Sequence, residues 1–372
     1  MSWSIKLLRV RGIDIKVHLT FVLILIWAAY RWGYTMRAGL AGALYGVVVI
    51  LLLFVCVTIH ELAHSLTAMR YGVKVRDITL LPIGGLSQME EMPGKPAQEL
   101  WMSLVGPLSN FIIALGLFVL DILFGIGAGL TPGRLNNVLD SVSWQGLPAY
   151  LALSNLLLGV FNLLPAYPMD GGRVLRAFLA MRMDYSKATA WAVNVGQGLA
   201  WFLGLFGVLS GNWTLVIIAV FIYLGAGQEG RMVEVKNVLG EFRASQAMAQ
   251  KVQTLSPEAS LAQAVDLILH GFQTDFPVLE EGKLIGFLTE TDLVTALKKH
   301  GPETTVGEVM RREFPTAEPG EGLFNVQEKM GQSRLRSIPV VQAGQLAGLI
   351  TAQDINEALL FISLRPELVR KT

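Results

Sequence analysis

The sequence predicts a multi-pass α-helical membrane protein of about six spans with a small re-entrant β segment, followed by a cytosolic α/β tandem repeat. Three observations carry that prediction. Of 372 residues, 52% are hydrophobic and only 16% are charged, whereas soluble domains carry about 25% charged residues; the mean hydropathy is +0.50. The apolar character stops near residue 228, and from about 231 onward Glu, Lys, Gln and Asp are interspersed as in a soluble domain. That second part then repeats itself at a fixed offset of 62 residues.

The chain opens on a basic, mildly amphipathic stretch (Lys6, Arg9, Arg11, Lys16), and an apolar run follows from Val17. No small-x-small site closes that run before Arg31, which predicts a retained first membrane helix rather than a cleaved signal. A span takes roughly 20 apolar residues. Six stretches qualify: 17–35, 39–69, 101–128, 147–165, 188–208 and 212–228. The second is too long for one simple span, so its tail from His60 to Tyr71 continues as helix inside the protein or toward the cytosolic surface. The fourth ends at Pro165 and Pro168, and irregular backbone at membrane depth is tolerated only inside protein or along a wet cavity. With the N-terminus in the cytosol, inside segments carry fourteen basic residues and outside loops only Arg31, Arg37 and Arg134. That bias sets the orientation: both termini cytoplasmic, in a cell membrane.

Between the second and third spans, residues 73–96 read as short strands and turns, and Gly84-Gly85 suits a bulge or a close backbone approach. The segment is either a plain cytosolic hairpin or a re-entrant sheet edge. The domain plan is 1–230 for the membrane part, 231–244 for a linker, 245–300 for the first repeat and 301–372 for the second repeat with its tail. In the repeats Phe276-Pro277-Val278 matches Ile338-Pro339-Val340, Gly286 matches Gly348, and Thr289 and Asp292 match Thr351 and Asp354. Each unit reads strand, turn, strand, then a Thr-x-x-Asp helix start.

A net charge of +1 argues against nucleic acid as a partner. The single cysteine, Cys56, excludes an intrachain disulfide framework and a cysteine-based zinc site. The chemistry lies instead at His60-Glu61-Leu62-Ala63-His64, which follows the uncharged run 46–59. Histidines at i and i+4 project from one helix face, a spacing that suits two nitrogen ligands on one Zn²⁺ with Glu61 beside them as general base. Ionisable groups at that depth are costly unless functional. A catalytic zinc has three protein ligands and an open position. Asp170, after Pro165 and Pro168 and before Gly171-Gly172, is the candidate third ligand; its alternative is a turn aspartate.

These residues resemble the site-2 protease family of intramembrane zinc metalloproteases. The likeness rests on the HExxH at 60–64, on the segment 162–172 that resembles the family's second signature, and on Gly106-Pro107-Leu108-Ser109-Asn110 opening the third span. Six spans followed by paired cystathionine-β-synthase (CBS) type repeats resemble the subgroup with a cytosolic regulatory module. The resemblance implies a zinc endopeptidase that cleaves transmembrane segments, with His60, His64 and Asp170 on the metal and Glu61 activating water. It implies that Asn162 positions substrate or its carbonyl, against a plain helix-packing hydrogen bond. It implies a re-entrant strand at Gly84-Gly85 that takes an extended piece of substrate by β-addition. Paired repeats of this kind imply ATP, ADP or AMP near Thr289, Asp292, Thr351 and Asp354, or else a docking platform and homodimer contact without ligand. The competing classes are a transporter or channel with appended repeats, which has no need of a general base beside an open metal position, and a non-cleaving binder of membrane helices, against which the intact Glu61 argues.

Overall fold

The computed structural model describes residues 3–89, 94–123, 142–240 and 242–364; the end of the expected third span and Arg134 lie outside them. The chain divides into two compact units, Met1–Gly230 and Arg231–Thr372.

The first unit begins with a hairpin, not with a helix. Strands β1 (Ser4–Val10) and β2 (Ile13–His18) pair antiparallel. Arg11 and Gly12 both have positive φ, 47° and 92°, as a two-residue type I′ turn requires. The first expected span therefore starts late. Helix α1 (Phe21–Ala29) runs straight into a π-helical turn (Tyr30–Thr35), and the two together fall short of a full span. Helix α2 (Gly39–Arg70) is one unbroken rod of 32 residues, confirming that the tail from His60 continues as helix.

Strand β3 (Val75–Leu81) pairs parallel with β2 and antiparallel with β4 (Gly84–Met89). A parallel pair needs a long crossover, and α1 and α2 supply it. The sheet order is β1-β2-β3-β4, so among the described residues β4 is an edge strand.

Among the described residues four helices are long and apolar enough to cross a membrane: α2, α3 (Pro96–Leu123), α6 (Tyr185–Leu209) and α7 (Trp213–Gly240). Helices α4 (Leu147–Asn162) and α5 (Asp170–Ala180) are shorter. Lipid gives little hydrophobic drive for helix association, so small residues at contacts let helices close up. Helix α3 packs on α2, α4 and α5 in this way. At Gly159 of α4 an added Cβ would lie 2.8 Å from the ring of Phe111 on α3. Pro107 sits inside α3, and Ser109 Oγ donates to the carbonyl of Gly106 at 2.6 Å.

The second unit is a tandem repeat. Hairpin β5 (Phe276–Glu280) and β6 (Lys283–Leu288) has its counterpart in β7 (Ser337–Gln342) and β8 (Gln345–Thr351). The correspondence extends to backbone detail. The turn residues Glu281-Gly282 and Ala343-Gly344 all have positive φ, and each hairpin carries a register shift at the matching place, Val278/Leu279 and Val340/Val341. Among the described residues three bridges cross between repeats, Ala249 to Leu349, Ser260 to Thr305 and Phe287 to Arg311. Helices α8 (Ala244–Ala247), α9 (Leu261–His270), α10 (Glu290–His300), α11 (Val306–Val309), α12 (Leu323–Ser333) and α13 (Ala352–Leu364) complete the unit. Its interior holds two apolar clusters, one centred on Leu261, Phe276 and Leu288, the other on Leu323, Ile338 and Ile350. Residues 231–240, expected as part of a linker, are the last three turns of α7.

Candidate metal centre

His60 and His64 lie one turn apart on α2 and are buried. The same face of α3 meets them at every turn: Met102, Gly106 and Asn110 recur at intervals of four, the spacing that aligns residues on one side of a helix. His64 Nδ1 is 2.6 Å from the backbone oxygen of Met102. A carbonyl can only accept, so Nδ1 carries the proton and donates. His60 Nδ1 is 2.5 Å from Asn110 Oδ1. The amide nitrogen of Asn110 is committed to Asn155 Oδ1 at 3.0 Å, and Asn155 in turn donates to the carbonyl of Leu151 at 2.8 Å. Its remaining oxygen therefore accepts from His60. Both rings are thus fixed in the tautomer whose Nε2 has a free lone pair, the arrangement that orients metal-binding histidines.

The third group arrives from another helix. Asp170 is the first residue of α5, where the helix dipole favours a carboxylate. A tight turn at 163–169 presses on that helix start: a Cβ on Gly171 would sit 2.1 Å from the carbonyl oxygen of Leu164, and one on Gly172 2.7 Å from the amide of Tyr167. Side chains at these two places would push Asp170 away.

Asp170 Oδ2 then lies 3.2 Å from His60 Nε2 and 3.1 Å from His64 Nε2, and the two Nε2 atoms are 3.1 Å apart. With both Nδ1 atoms protonated, three acceptor atoms face one another and none has a hydrogen to share. Only a cation or an added proton reconciles them. Ligands held at about 2.0–2.1 Å from a tetrahedral zinc are separated by roughly 3.3–3.4 Å, within a few tenths of an ångström of what is seen. The three residues form one group of potential ligands, and an N₂O set of this kind leaves a fourth position open.

Glu61 is held apart from this triangle by β4. Ser87 Oγ donates to Glu61 Oε2 at 2.6 Å, and Ser65 Oγ lies 3.3 Å from Ser87 Oγ. A Cβ on Gly85 would fall 2.5 Å from Glu61 Cγ, so β4 passes directly over the glutamate. Gly84 adopts φ 138° at the start of the strand. Asn162 ends α4, half-buried, and the turn to Asp170 follows it.

The structure therefore brings the three expected ligands together and sets Gly85 beside Glu61, with Gly84 one residue before it. Sequence reasoning quoted Asn110 without a role and missed Asn155, Ser87 and the carbonyl of Met102.

A family model for peptidase family M50 matches residues 48–143 and 130–203, and one for the CBS domain matches 244–299 and 306–361. A zinc metalloprotease of Methanocaldococcus jannaschii is 35% identical over 371 residues, 99% of each chain. The chain belongs to peptidase family M50. Stage IV sporulation protein FB of Bacillus subtilis is 27% identical over 46% of this chain and 52% of its own. A solved site-2 protease from Methanocaldococcus jannaschii is 40% identical, covering 61% of this chain and 95% of that one with a TM-score of 0.44. By its family and this relative the protein is a zinc metalloprotease of family M50 with a CBS pair, its first unit holds helices apolar enough to cross a membrane, and the transporter reading falls away.

In the CBS pair, Thr289 Oγ1 accepts from the Asp292 amide at 3.2 Å, and Thr351 Oγ1 from the Asp354 amide at 3.1 Å. The carboxylates differ. Arg311 forks Asp292 at 2.6 and 3.0 Å. The residue 62 positions before Arg311 is Ala249, so Asp354 has no matching guanidinium. Burial raises the Asp292 carboxyl, but hydrogen bonds from Arg311 and Thr289 outweigh it and hold the group below its ordinary value.

Proposed function

We propose that the protein is an intramembrane endopeptidase that cleaves a transmembrane segment of a membrane protein, fed through the edge of β4. The observation that carries this reading is the placement of β4: an edge strand with open backbone groups, bonded through Ser87 to Glu61. A membrane helix hides its peptide bonds in its own hydrogen bonds and must unwind to be cut. In lipid, each freed backbone group needs a partner. An extended substrate pairing with β4 finds those partners beside the glutamate. On this reading residues 75–89 are a re-entrant segment at membrane depth.

His60, His64 and Asp170 would hold the zinc. When bound, it supplies Lewis-acid activation of water and of the scissile carbonyl. Glu61 takes the proton of the attacking water and returns it to the leaving amide nitrogen. Ser87 keeps one Glu61 oxygen occupied, which leaves the other for that proton. Asn110 and the Met102 carbonyl keep the imidazoles aimed. Asn162, at the end of α4, offers an amide to the substrate carbonyl.

The excess of basic residues in inside segments supports cytoplasmic N- and C-termini and a multi-pass topology in the cell membrane. The CBS pair then faces the cytosol, where it senses an adenine nucleotide (ATP, ADP or AMP) and provides the contact of a homodimer. A nucleotide acts on cleavage only by its differential affinity for open and closed protease states.

The deciding experiment uses the full chain in liposomes with a model single-span substrate. E61Q should keep its zinc and lose cleavage by a factor of about 10² or more. A strand-edge block, L86P, should also abolish cleavage while leaving zinc content intact; full activity in L86P would remove β4 from the reading.

A further inference from the structure

Arg176 lies on α5 six residues beyond Asp170 and is 1% exposed. No catalytic step uses it. Its Nε donates to Glu99 Oε1 on α3 at 2.8 Å, and Nη1 to Glu229 Oε1 on α7 at 2.6 Å. The guanidinium carbon lies 5.4 Å from the ring centre of Tyr167 and 4.9 Å from that of Tyr185. Tyr167 belongs to the tight turn just before Asp170, and Tyr185 begins α6. One side chain thus ties together the turn that precedes the ligand, the helix that follows it, and three neighbouring helices.

We propose that Arg176 is a positioning residue for the metal centre: it fixes the short helix α5, and through it Asp170, against α3, the helix that also aims His60 and His64. The inference rests on the metal-site reading and deepens it.

Three physical points carry the proposal. Stability alone does not explain a buried ion pair. Each buried charge costs several kcal/mol to desolvate, and apolar replacements are often neutral or stabilising. A planar guanidinium, however, holds two carboxylates and stacks on rings in one fixed geometry, which an ammonium does not. Leverage supplies the second point. Six residues of helix span about 9 Å, so a tilt of about 10° at Arg176 displaces Asp170 by roughly 1.6 Å. Metal centres tolerate about 0.5 Å. The third is that α3 is a common reference. Met102 aims His64, Asn110 aims His60, and Glu99, one turn before Met102, anchors the helix of Asp170. All three ligands are located relative to one rod.

The test uses the full-length protein in detergent, with zinc affinity read by chelator competition and geometry by the d–d spectrum of the Co²⁺ form. R176A would leave Glu99 buried and unpaired and is a poor probe. The double variant R176M/E99Q keeps the volume and removes the fully buried charge pair, leaving Glu229, whose side chain is 22% exposed, to be solvated. R176K keeps the charge without the planar fork. Both should melt as metal-free proteins within a few degrees of wild type, yet bind zinc at least tenfold more weakly, the usual scale for losing support of a ligand, with an altered Co²⁺ spectrum. Folded variants with wild-type zinc affinity and an unchanged Co²⁺ spectrum overturn the proposal. Neither readout requires proteolysis, so the result is independent of whether the substrate reading survives.

Discussion

A methyl group on Gly106 would stand 2.0 Å from Nε2 of His64 and 2.8 Å from Nε2 of His60. The α3 backbone is therefore pressed against the space where the ligand atoms meet. G106A should lose zinc almost entirely. Alanine is the better helix former by about 0.8–1.0 kcal/mol, which offsets only part of the roughly 1–3 kcal/mol that overpacking two buried rings costs, so the metal-free variant should melt only a little below wild type. Metal content by emission spectrometry, set beside the melting temperature of the metal-free forms, checks both halves. Retained zinc in G106A would contradict the assignment.

Asp170 and Asn110 should separate by degree. D170A removes a ligand and should empty the site at micromolar free zinc. N110A removes only the partner that fixes the His60 tautomer, and should weaken zinc by about 10–100-fold. Chelator titrations of the two variants give the ranking, and equal losses would contradict it.

Ser87 tests the handling of Glu61. S87A should leave zinc affinity as it is and reduce cleavage by roughly tenfold, since the proton acceptor keeps its chemistry and loses its orientation. The comparison is kcat against metal content on one preparation. A fall in zinc would show that β4 supports the metal itself.

Acid stability should carry the mark of Asp292. Its carboxyl is held low in the folded state, while an unfolded aspartate titrates near 4. The folded state therefore binds fewer protons between the two values. The stabilisation is complete above the unfolded value and is lost as pH falls through the lower, folded one. Denaturant midpoints of wild type and D292N should differ at pH 6 and converge below about pH 4. A constant difference across that window would exclude the mechanism.

Arg311 should also make the two halves of the pair unequal toward nucleotide. It already occupies the Asp292 carboxylate, whereas among the described residues the Asp354 carboxylate accepts from Thr351 alone. AMP titrated calorimetrically into the full chain should fill one site, lost in D354A, and R311A should open a second. Two sites in wild type would refute this inequality.

The metal centre was legible in the sequence because histidines four apart must share a helix face and because a carboxylate framed by prolines and glycines has few other uses at membrane depth. The repeat pair was legible from its constant offset. The supporting residues were not. Glu99, Arg176 and Glu229 each stand near the end of an apolar stretch and read as interfacial charges; only packing reveals that they meet. Asn110 and Asn155 look like isolated polar residues until the helices are placed side by side. The first span was misread for a different reason. Strict alternation over Ile13–His18, with Arg11-Gly12 before it, is a strand signal, overridden by the basic composition of the segment.

Both imidazoles are aimed by α3 through bonds that involve no metal. In a zinc finger the ion is the fold, and without it the chain is disordered. Here α3 holds both rings with bonds of its own, and what a cation adds is relief of the three lone pairs that face one another. Losing zinc should therefore disturb the meeting of Asp170 with the two rings and leave the rest of the fold standing.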